Sequence, residues 1–390
     1  MQRIYRIILS ALLIVVAAPL GHAQETIKIG IVGPFTGPFA TTGEGFKQGI
    51  AAFTALRGNA VGNKKVEIIF RDTVGDPSAA KRLTEELVVK DHVAILGGYM
   101  LTPEALAAVS VANESKTPVL LFSAAAPSLM QLSPYFIRMG ENSVQPPQLT
   151  AEWARANGKS RGYTAVADYA PGHVVEGAFS ERFRALGGTM VGSDRIPLNT
   201  VDFAPFAERV ARANPDVLDI FIPSGAPAVG YIKALADRGL MNKVTVVGLG
   251  EAEDKDLHLY DDSVVNFNQI LYYGPGIDNV ENENLKKKIA ELFGSDVLPS
   301  LYTIGAYDGM RVAYQMIERS AGKGLDGDVA VKSVLGDSFK SPRGPVTIDA
   351  ATRENIQNFY LWRVEKQNGK LVNVLVKTFE QVPAPQPKKQ

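Results

Sequence analysis

The sequence predicts an α/β protein with two doubly wound parallel sheets. Short apolar runs rich in β-branched residues alternate with longer segments of helical periodicity over residues 27–127, and again over residues 145–248. Strands joined through helices pair in parallel, and the helices then cover both faces of the sheet. Without residues 1–23 the chain has 390 − 23 = 367 residues, which corresponds to about two domains of ~150 residues each. We therefore expect one sheet in each half.

The first 23 residues have the pattern of a secretory signal peptide. Arg3 and Arg6 precede an apolar run at 7–18, and small residues stand before an expected cleavage after Ala23. The apolar run is shorter than the roughly 20 residues of a membrane helix, and no later segment reaches that length. The chain has no cysteine, which excludes disulfides, a thiol nucleophile and a lipidated N-terminal cysteine. We expect a free protein of the periplasm, without a membrane anchor.

The charge balance argues against nucleic acid or an anionic membrane as a partner. The formal net charge is 0 for the whole chain, and 0 − 2 = −2 once the two arginines of residues 1–23 are removed. His92, His173 and His258 are scattered, with no partner at metal-binding spacing. The sequence therefore predicts no metal site.

In the first half, three loops follow predicted strands. Strands are expected at 27–32, 65–72, 93–96 and 119–122, with helices at 44–56, 77–90 and 105–112. Phe46, Ile50 and Phe53 share one face of the first helix. The loops at 35–43, 97–102 and 123–127 lie at the carboxyl edge of the sheet, where parallel sheets bind ligands. We therefore expect a binding site at that edge.

The loop at 97–102 predicts an anion-binding corner. Gly97 and Gly98 permit a tight turn, and Thr102 is suited to cap the helix that follows. Pro103 and Glu104 suit the first helical turn. Unpaired N–H groups at a helix start, together with a hydroxyl, favour an anion such as a carboxylate. A capped helix without a ligand is the alternative.

The second half repeats the architecture without repeating the sequence. Strands are expected at 163–167, 189–196, 217–222 and 244–248, with helices at 145–157 and 173–186, one starting at 202–205 and one ending at 238. The binding-edge loops then fall at 168–172, 223–227 and 248–253. Apart from Glu251, the acidic run at 251–256 is expected to be a solvated loop.

The remainder of the chain predicts helices followed by strands. After a strand at 270–273, helices are expected at 283–293, 302–320 and 329–335. Strands follow at 346–348, 359–364 and 371–378, with Gln367-Asn368-Gly369 as a hairpin turn. Residues 382–390 hold three prolines and two lysines and are expected to be disordered.

Several segments together resemble the leucine/isoleucine/valine-binding type of periplasmic binding protein. They are residues 29–37, Asp72 with Asp76-Pro77, the corner at 97–102, residues 118–127 and residues 306–309. The resemblance covers nearly all of residues 26–380. It implies a type I fold, in which two doubly wound lobes are joined by a three-strand hinge and trap a ligand for delivery to an ABC importer.

The resemblance also implies domain boundaries and a set of ligand-binding residues. The hinge would fall near residues 140–143, 272–276 and 341–344. Lobe one would comprise 24–141 plus 274–342, and lobe two 142–273 plus 343–381. One lobe would hold a carboxylate through Thr102 and the corner at 123–127, while the other lobe and the third segment would close over it. The implied ligand-binding residues are Thr42, Tyr99, Thr102, Ser123, Ala124, Ala125, Ala126, Tyr169, Ala226, Glu251 and Tyr302.

Departures from the family pattern leave the ligand class open. Amino-acid binders commonly have a threonine that helps to hold the ammonium group at the position of Pro127, and Glu251 lies one position from the acid that completes that site. Ala226 stands where an aromatic side chain often packs on the ligand. Residues 168–172 and 341–345 are more similar to a branch that handles aromatic acids. The ligand is therefore an amino acid or a carboxylate without an amine.

Two alternatives come from other functional classes. A sensory domain of the same fold would pass its signal to a receptor instead of a permease. A nucleotide-dependent enzyme would need a glycine-rich loop, but no Gly-x-Gly-x-x-Gly follows the first strand, and Gly248-Leu249-Gly250 has Glu253 at the third glycine position. We expect a non-enzymatic, monomeric solute-binding protein with no cofactor, a small carboxylate ligand and a membrane permease as partner.

Overall fold

A mainly parallel six-stranded β-sheet and a mixed nine-stranded β-sheet, both flanked by helices, form the described part of the molecule, so the predicted α/β fold class is confirmed. The computed structural model describes residues 25–320 and 324–385. The predicted signal peptide at 1–23 lies outside the described residues.

The first sheet has six strands in the order β2-β3-β1-β4-β5-β6. They are β1 (Thr26–Gly33), β2 (Ala60–Val61), β3 (Lys64–Asp72), β4 (Ile95–Gly98), β5 (Val119–Leu121) and β6 (Phe136–Arg138). All pairs are parallel except the short β2–β3 pair. The helices of this segment are α1 (Ala40–Arg57), α2 (Pro77–Val89), α3 (Thr102–Ser115) and α4 (Leu129–Leu132).

The second sheet has nine strands in the order β12-β13-β14-β11-β10-β9-β7-β8, with β15 paired to β14. They are β7 (Arg161–Ala167), β8 (Thr189–Ile196), β9 (Val217–Phe221), β10 (Thr245–Gly248), β11 (Asn268–Leu271), β12 (Ser338–Ser341), β13 (Gly344–Ile348), β14 (Asn355–Gln367) and β15 (Lys370–Val382). Pairs among β7–β11 are parallel, and the later strands pair antiparallel. The remaining helices are α5 (Gln145–Ala156), α6 (Ala170–Ala185), α7 (Ala204–Ala213), α8 (Ala226–Ala236), α9 (Val280–Phe293), α10 (Leu301–Arg319) and α11 (Gly327–Val334).

Each sheet has a point where the strand order reverses. In the first sheet β1 lies between β3 and β4, and α1 packs with α10 while α3 packs with α2. In the second sheet β7 lies between β8 and β9, and α6 packs with α5 while α8 packs with α7. Connections that leave in opposite directions open a crevice at the carboxyl ends of the strands. Each sheet therefore offers one crevice for a ligand.

The chain passes between the two sheets three times. The passages follow β6, β11 and α11, near the three predicted hinge segments. Helices α9 and α10 pack with α1, and α11 packs with α10. Strand β12 at Ser338–Ser341 pairs with β13 in the second sheet, although the expected boundary assigned residues up to 342 to lobe one. The reason is the tight hairpin before Gly344, whose φ of 94° suits glycine.

The predicted disorder of residues 382–390 is wrong for its first residues, and residues 386–390 lie outside the described part of the chain. Val382 pairs with Gln357 in β14, and its carbonyl oxygen accepts a hydrogen bond from the Gln145 side chain at 3.4 Å. Ala384 is buried. The strand therefore extends four residues beyond its expected end at Thr378, because β14 offers pairing partners as far back as Gln357.

Buried charges tie the passages together. Arg343, between β12 and β13, pairs with Asp308 of α10 at 2.8 Å, and both side chains are fully buried. The Arg343 guanidinium also lies 5.1 Å from the centroid of the Tyr272 ring and donates to Gln357 Oε1 at 2.6 Å. Such a pair joins α10 to the second sheet. Removing one partner leaves an uncompensated charge in the interior.

We predict that Asp308→Asn lowers the free energy of unfolding by about 3–5 kcal/mol, because Arg343 keeps its buried charge and loses its counter-ion. Urea unfolding measures this change. Asp237→Asn is the matched control, since Asp237 pairs with Lys233 at 3.1 Å on the surface of α8 and the turn after it, and exposed pairs contribute at most about 1 kcal/mol. Equal losses in the two variants would contradict the role assigned to Asp308.

Candidate ligand-binding cleft

Loops from the two sheets meet at the start of α10. Tyr169 follows β7 of the second sheet, and its hydroxyl lies within electrostatic range of Tyr302, in the first turn of α10, and of Glu251. Burial, reinforced by these neighbours, raises the pKa of Tyr169 to about 12. Glu253, after β10, accepts a hydrogen bond from the Leu301 N–H at 3.3 Å. The second-sheet loops at 168–172 and 248–253 therefore lie close to the start of α10, which packs with α1 of the first sheet, and we call the space between them the cleft.

The corner after β4 is closed by a protein side chain. The Glu104 carboxylate is buried and accepts from the N–H groups of Met100 at 3.1 Å and Leu101 at 2.9 Å, and from the Thr73 hydroxyl. Thr102 is the first residue of α3 and Leu101 is the N-cap, so the expected capping role of Thr102 is wrong. The Thr102 hydroxyl and N–H have no partner among the described residues. The corner therefore offers Thr102 alone, because Glu104 already satisfies the preceding amides.

Tyr99 does not line this wall, contrary to expectation. Its side chain is fully buried, and its hydroxyl lies 2.9 Å from the Thr84 hydroxyl of α2. The backbone at Tyr99 has a φ of 60°, which directs the ring into the core between α2, α3 and the sheet. Burial raises the pKa of Tyr99 well above its ordinary value. Tyr99 is therefore a core residue.

The second corner, residues 123–127, has its carbonyl groups held from behind. The buried Arg138 guanidinium donates to the carbonyl oxygens of Ala124 and Ala126, the latter at 2.7 Å. The Ser143 N–H donates to the Ala125 carbonyl at 3.0 Å. Within residues 25–320 and 324–385, the Ser123 hydroxyl and the N–H groups of Ala125 and Ala126 have no partner. The corner therefore has unused donors, which suit an anion.

Aromatic side chains flank the cleft. Tyr169 stacks on Phe221 with ring centroids 6.0 Å apart and ring planes 9° apart. Tyr302 packs edge-on against Phe46 at 6.4 Å, and Thr42, which is buried in α1, lies within hydrogen-bonding reach of the Tyr302 hydroxyl. Phe221 was missed by the sequence analysis, because an apolar residue at the end of a buried strand has the pattern of a core residue. Its partial exposure next to Tyr169 is what distinguishes it.

Glu251 is not free to bind an ammonium group. Its two carboxylate oxygens accept from the backbone N–H groups of Ile222 at 3.0 Å and Leu249 at 2.6 Å. The side chain is 1% exposed, and burial raises its pKa to about 7 although backbone hydrogen bonds oppose the rise. Glu251 therefore ties together the loops after β9 and β10. Ala226, the first residue of α8, is exposed.

The acidic run after Glu251 is partly buried, so the expectation of a solvated loop is wrong. Glu253 is 8% exposed, and Lys255 lies 3.6 Å from it. Burial raises the pKa of Glu253, and the neighbouring Lys255 opposes that rise. No local pattern indicates this burial, because it depends on contact with the start of α10, which lies 48 residues further along the chain. Glu253 therefore lies at the cleft and is paired with Lys255.

Two sheets, each with a crevice at its carboxyl edge, and a corner with unpaired anion donors are features of a two-lobed ligand-binding protein. The sequence profile described as "Periplasmic binding protein" matches residues 26–370. The chain belongs to the periplasmic binding protein family, as predicted, and has its type I fold. The members are solute-binding components of transport systems and not enzymes.

Relatives and solved structures agree with this assignment. The Leu/Ile/Val-binding protein homolog 6 of Brucella melitensis is 35% identical over 379 residues, covering 96% of this chain and 97% of the relative. A solute-binding protein of an ABC transporter from R. palustris, in complex with 4-hydroxybenzoate, is 37% identical with a TM-score of 0.85, covering 92% of this chain and 98% of that one. A solute-binding protein from Rhodopseudomonas palustris BisB5, in complex with 3,4-dihydroxy benzoic acid, is 33% identical with a TM-score of 0.84, covering 92% and 99%.

Two further expectations concern metals and membranes. Among the described residues, no group of three or more His, Cys, Asp or Glu side chains is placed to hold a metal ion. Across residues 25–320 and 324–385, every helix is too short or too polar to cross a bilayer.

We predict that Tyr99→Phe lowers the free energy of unfolding by about 0.5–1.5 kcal/mol, because the hydrogen bond to Thr84 is lost from the core. Urea unfolding measures the loss, and ligand affinity stays at the wild-type value. A variant with wild-type stability and weakened binding would show that Tyr99 lines the cleft after all.

Proposed function

We propose that this protein binds a small aromatic carboxylate without an amine, of the hydroxybenzoate type, and delivers it to the membrane permease of an ABC importer. The observation that carries the proposal is the second corner. Its carbonyl groups are held by Arg138, and its Ser123 hydroxyl and two backbone N–H groups are left unpaired. A carboxylate is the ligand group that accepts from all three donors at once.

The free energies of hydrogen bonds favour a carboxylate over a neutral oxygen as the group bound at the second corner. Hydrogen bonds to a charged acceptor contribute about 1.5–3 kcal/mol each, roughly twice a neutral bond. Three such bonds, with a fourth from the Thr102 hydroxyl, offset the free-energy cost of removing one carboxylate from water. The Ser123 corner and Thr102 follow the adjacent paired strands β5 and β4, so a single small group can reach both.

The other end of the ligand meets aromatic surface. Tyr169 and Phe221 stack on the second-sheet side of the cleft, and Tyr302 lies at the start of α10. Aromatic rings favour offset-stacked or edge-to-face contact with another aromatic ring. The two solved structures at 37% and 33% identity were determined with hydroxylated benzoates, which supports a ligand of this class.

An amino acid is the less favoured ligand because the acids after β10, where the resemblance places the ammonium partner, are already engaged by other groups. Glu251 gives both oxygens to backbone N–H groups, and Glu253 is paired with Lys255. Pro127 replaces the threonine of amino-acid binders and supplies no hydroxyl. The curated relatives named as Leu/Ile/Val-binding homologs make amino acids the comparison that any test must include.

The proposed mechanism is closure of two lobes about the three passages. Residues 25–141 with 272–337 form one lobe, and residues 142–271 with 338–382 form the other. A ligand that contacts both lobes shifts the equilibrium between open and closed conformations toward the closed one. The closed conformation presents a surface that the permease recognises. The protein acts as a monomer in the periplasm after removal of residues 1–23. Co-purification with a receptor instead of a permease would favour a sensory role.

We predict that 4-hydroxybenzoate, 3,4-dihydroxybenzoate or benzoate raises the melting temperature in a thermal-shift screen, whereas leucine, isoleucine, valine and phenylalanine do not. Ligand at 100 times its Kd stabilises the folded state by about 2.7 kcal/mol. A shift produced by the amino acids and not by the aromatic acids would contradict the proposed ligand class.

We predict that Ser123→Ala weakens binding of 4-hydroxybenzoate by about 1–3 kcal/mol, because a charge-assisted hydrogen bond is lost. Thr102→Ala has an effect of the same size. Isothermal titration calorimetry measures both affinities. Ser128→Ala is the control, since Ser128 is an exposed hydroxyl just beyond the same corner. Equal affinities in Ser123→Ala and Ser128→Ala would place the carboxylate elsewhere.

A further inference from the structure

Glu141 lies in the first passage between the sheets, beside the second corner. The Gly140 carbonyl accepts from the side chains of Asn355 at 3.3 Å and Gln357 at 3.2 Å. On the other side, the Asn142 side-chain amide donates to Glu354 at 3.0 Å. The backbone on both sides of Glu141 is therefore held by residues 354–357, at the start of β14. Two residues after Glu141, the Ser143 N–H donates to the Ala125 carbonyl of the second corner.

Glu141 is half-buried, and one of its carboxylate oxygens lacks a hydrogen-bond partner. The Oε2 atom is shielded from water and has no partner among the described residues. Charged and titratable groups face it from each neighbouring element. They are Arg138 of β6, Glu253 of the loop after β10, Tyr272 after β11 and Arg343 after β12.

The two arginines near Glu141 are already paired with other acids. Arg138 binds Glu354 at 3.0 Å, and Arg343 binds Asp308 at 2.8 Å. Burial, and then repulsion from Glu253, raise the pKa of Glu141 to about 8, although both arginines oppose the rise. A negative charge on Glu141 is thus poorly compensated in this arrangement.

We propose that Glu141 is a further cleft residue that takes up one proton when the lobes close on an anionic ligand. The inference rests on the proposed function, because it requires a carboxylate in the second corner. Opening of the lobes admits water to the Glu141 carboxyl and moves Glu253 away, which favours the ionised form. Closure removes the water, returns Glu253 and adds the negative charge of the ligand nearby. All three changes oppose ionisation.

The sign of the pH dependence follows from this linkage. A group with a higher pKa in the closed, ligand-bound state binds a proton as the ligand binds. Between the ordinary glutamate pKa and about 8, affinity therefore falls as the pH rises, with a slope that approaches about tenfold per pH unit. A ligand held without proton uptake shows no such slope while its own carboxylate stays ionised.

The test is isothermal titration of the whole mature protein with 4-hydroxybenzoate at pH 7, in phosphate and in Tris. The difference in heat between the two buffers gives the number of protons taken up. We expect about one proton for the wild type and a value near zero for Glu141→Gln, which keeps the shape and cannot ionise. We also expect the wild-type affinity to fall by about tenfold from pH 6.5 to pH 7.5, and that of Glu141→Gln to stay constant.

Asp219→Asn is the matched control. Asp219 is a fully buried acid of β9 whose pKa is raised by burial and by Glu251, but it lies inside the second sheet and not at a passage. This variant should retain the wild-type proton uptake. Retained uptake in Glu141→Gln, or no uptake in the wild type, would overturn the proposal.

Titration with leucine separates this inference from the proposed function. Binding of leucine in place of 4-hydroxybenzoate would contradict the proposed ligand class. Leucine is a zwitterion, so the role of Glu141 is decided only with an amine-free carboxylate. Absence of proton uptake with bound 4-hydroxybenzoate would overturn the role of Glu141 and leave the proposed ligand class intact.

Discussion

One buried guanidinium organises the binding edge of this protein. Arg138 lies at the end of β6 and is almost completely shielded from water, yet its donors are used on the carbonyl oxygens of Ala124 and Ala126 and on Glu354. Because Arg138 holds these carbonyl groups on one side of the loop, the intervening N–H groups remain unpaired on the other side. Glu354 also accepts from Asn142, so the Arg138–Glu354 pair also holds the passage that leads from β6 into the second sheet. The ligand corner and the hinge therefore share one polar network.

In other loops, buried acids accept hydrogen bonds from the backbone N–H groups. Glu104 accepts two backbone N–H groups of the corner after β4, and Glu251 accepts two from the loops after β9 and β10. Each carboxylate removes amides that would otherwise attract an anion. The second corner, in contrast, keeps the Ser123 hydroxyl and the N–H groups of Ala125 and Ala126 unpaired among the described residues. This difference is the basis on which we propose that corner as the place of the ligand carboxylate.

Local pattern was enough to predict the sheets, the crossover order and most loops. Phe46, Ile50 and Phe53 are buried on one face of α1, and Asn368 and Gly369 have the positive φ values of a hairpin turn, as their sequence indicates. The glycine corner is also where expected, since a Cβ at Gly98 would collide with the Val32 carbonyl oxygen.

The direction of side chains at the site could not be predicted, because it depends on distant partners. Tyr99 turns to Thr84 on another helix, and nothing in its own loop encodes that contact. Arg138 sits in an apolar strand, and only the turn that carries Glu354, more than 200 residues later, gives it a partner. Glu251 was expected among the ligand residues from its position in the chain alone. That position carries no information on the backbone N–H groups of Ile222 and Leu249, which donate to its two oxygens.

Two lobes that close about the three passages on a small carboxylate become more compact when the ligand binds. Small-angle X-ray scattering of the protein without residues 1–23, with and without saturating 4-hydroxybenzoate, measures this change. We expect a smaller radius of gyration when the ligand is present. The same radius in both samples, with binding confirmed in the same solution, would contradict closure of the lobes.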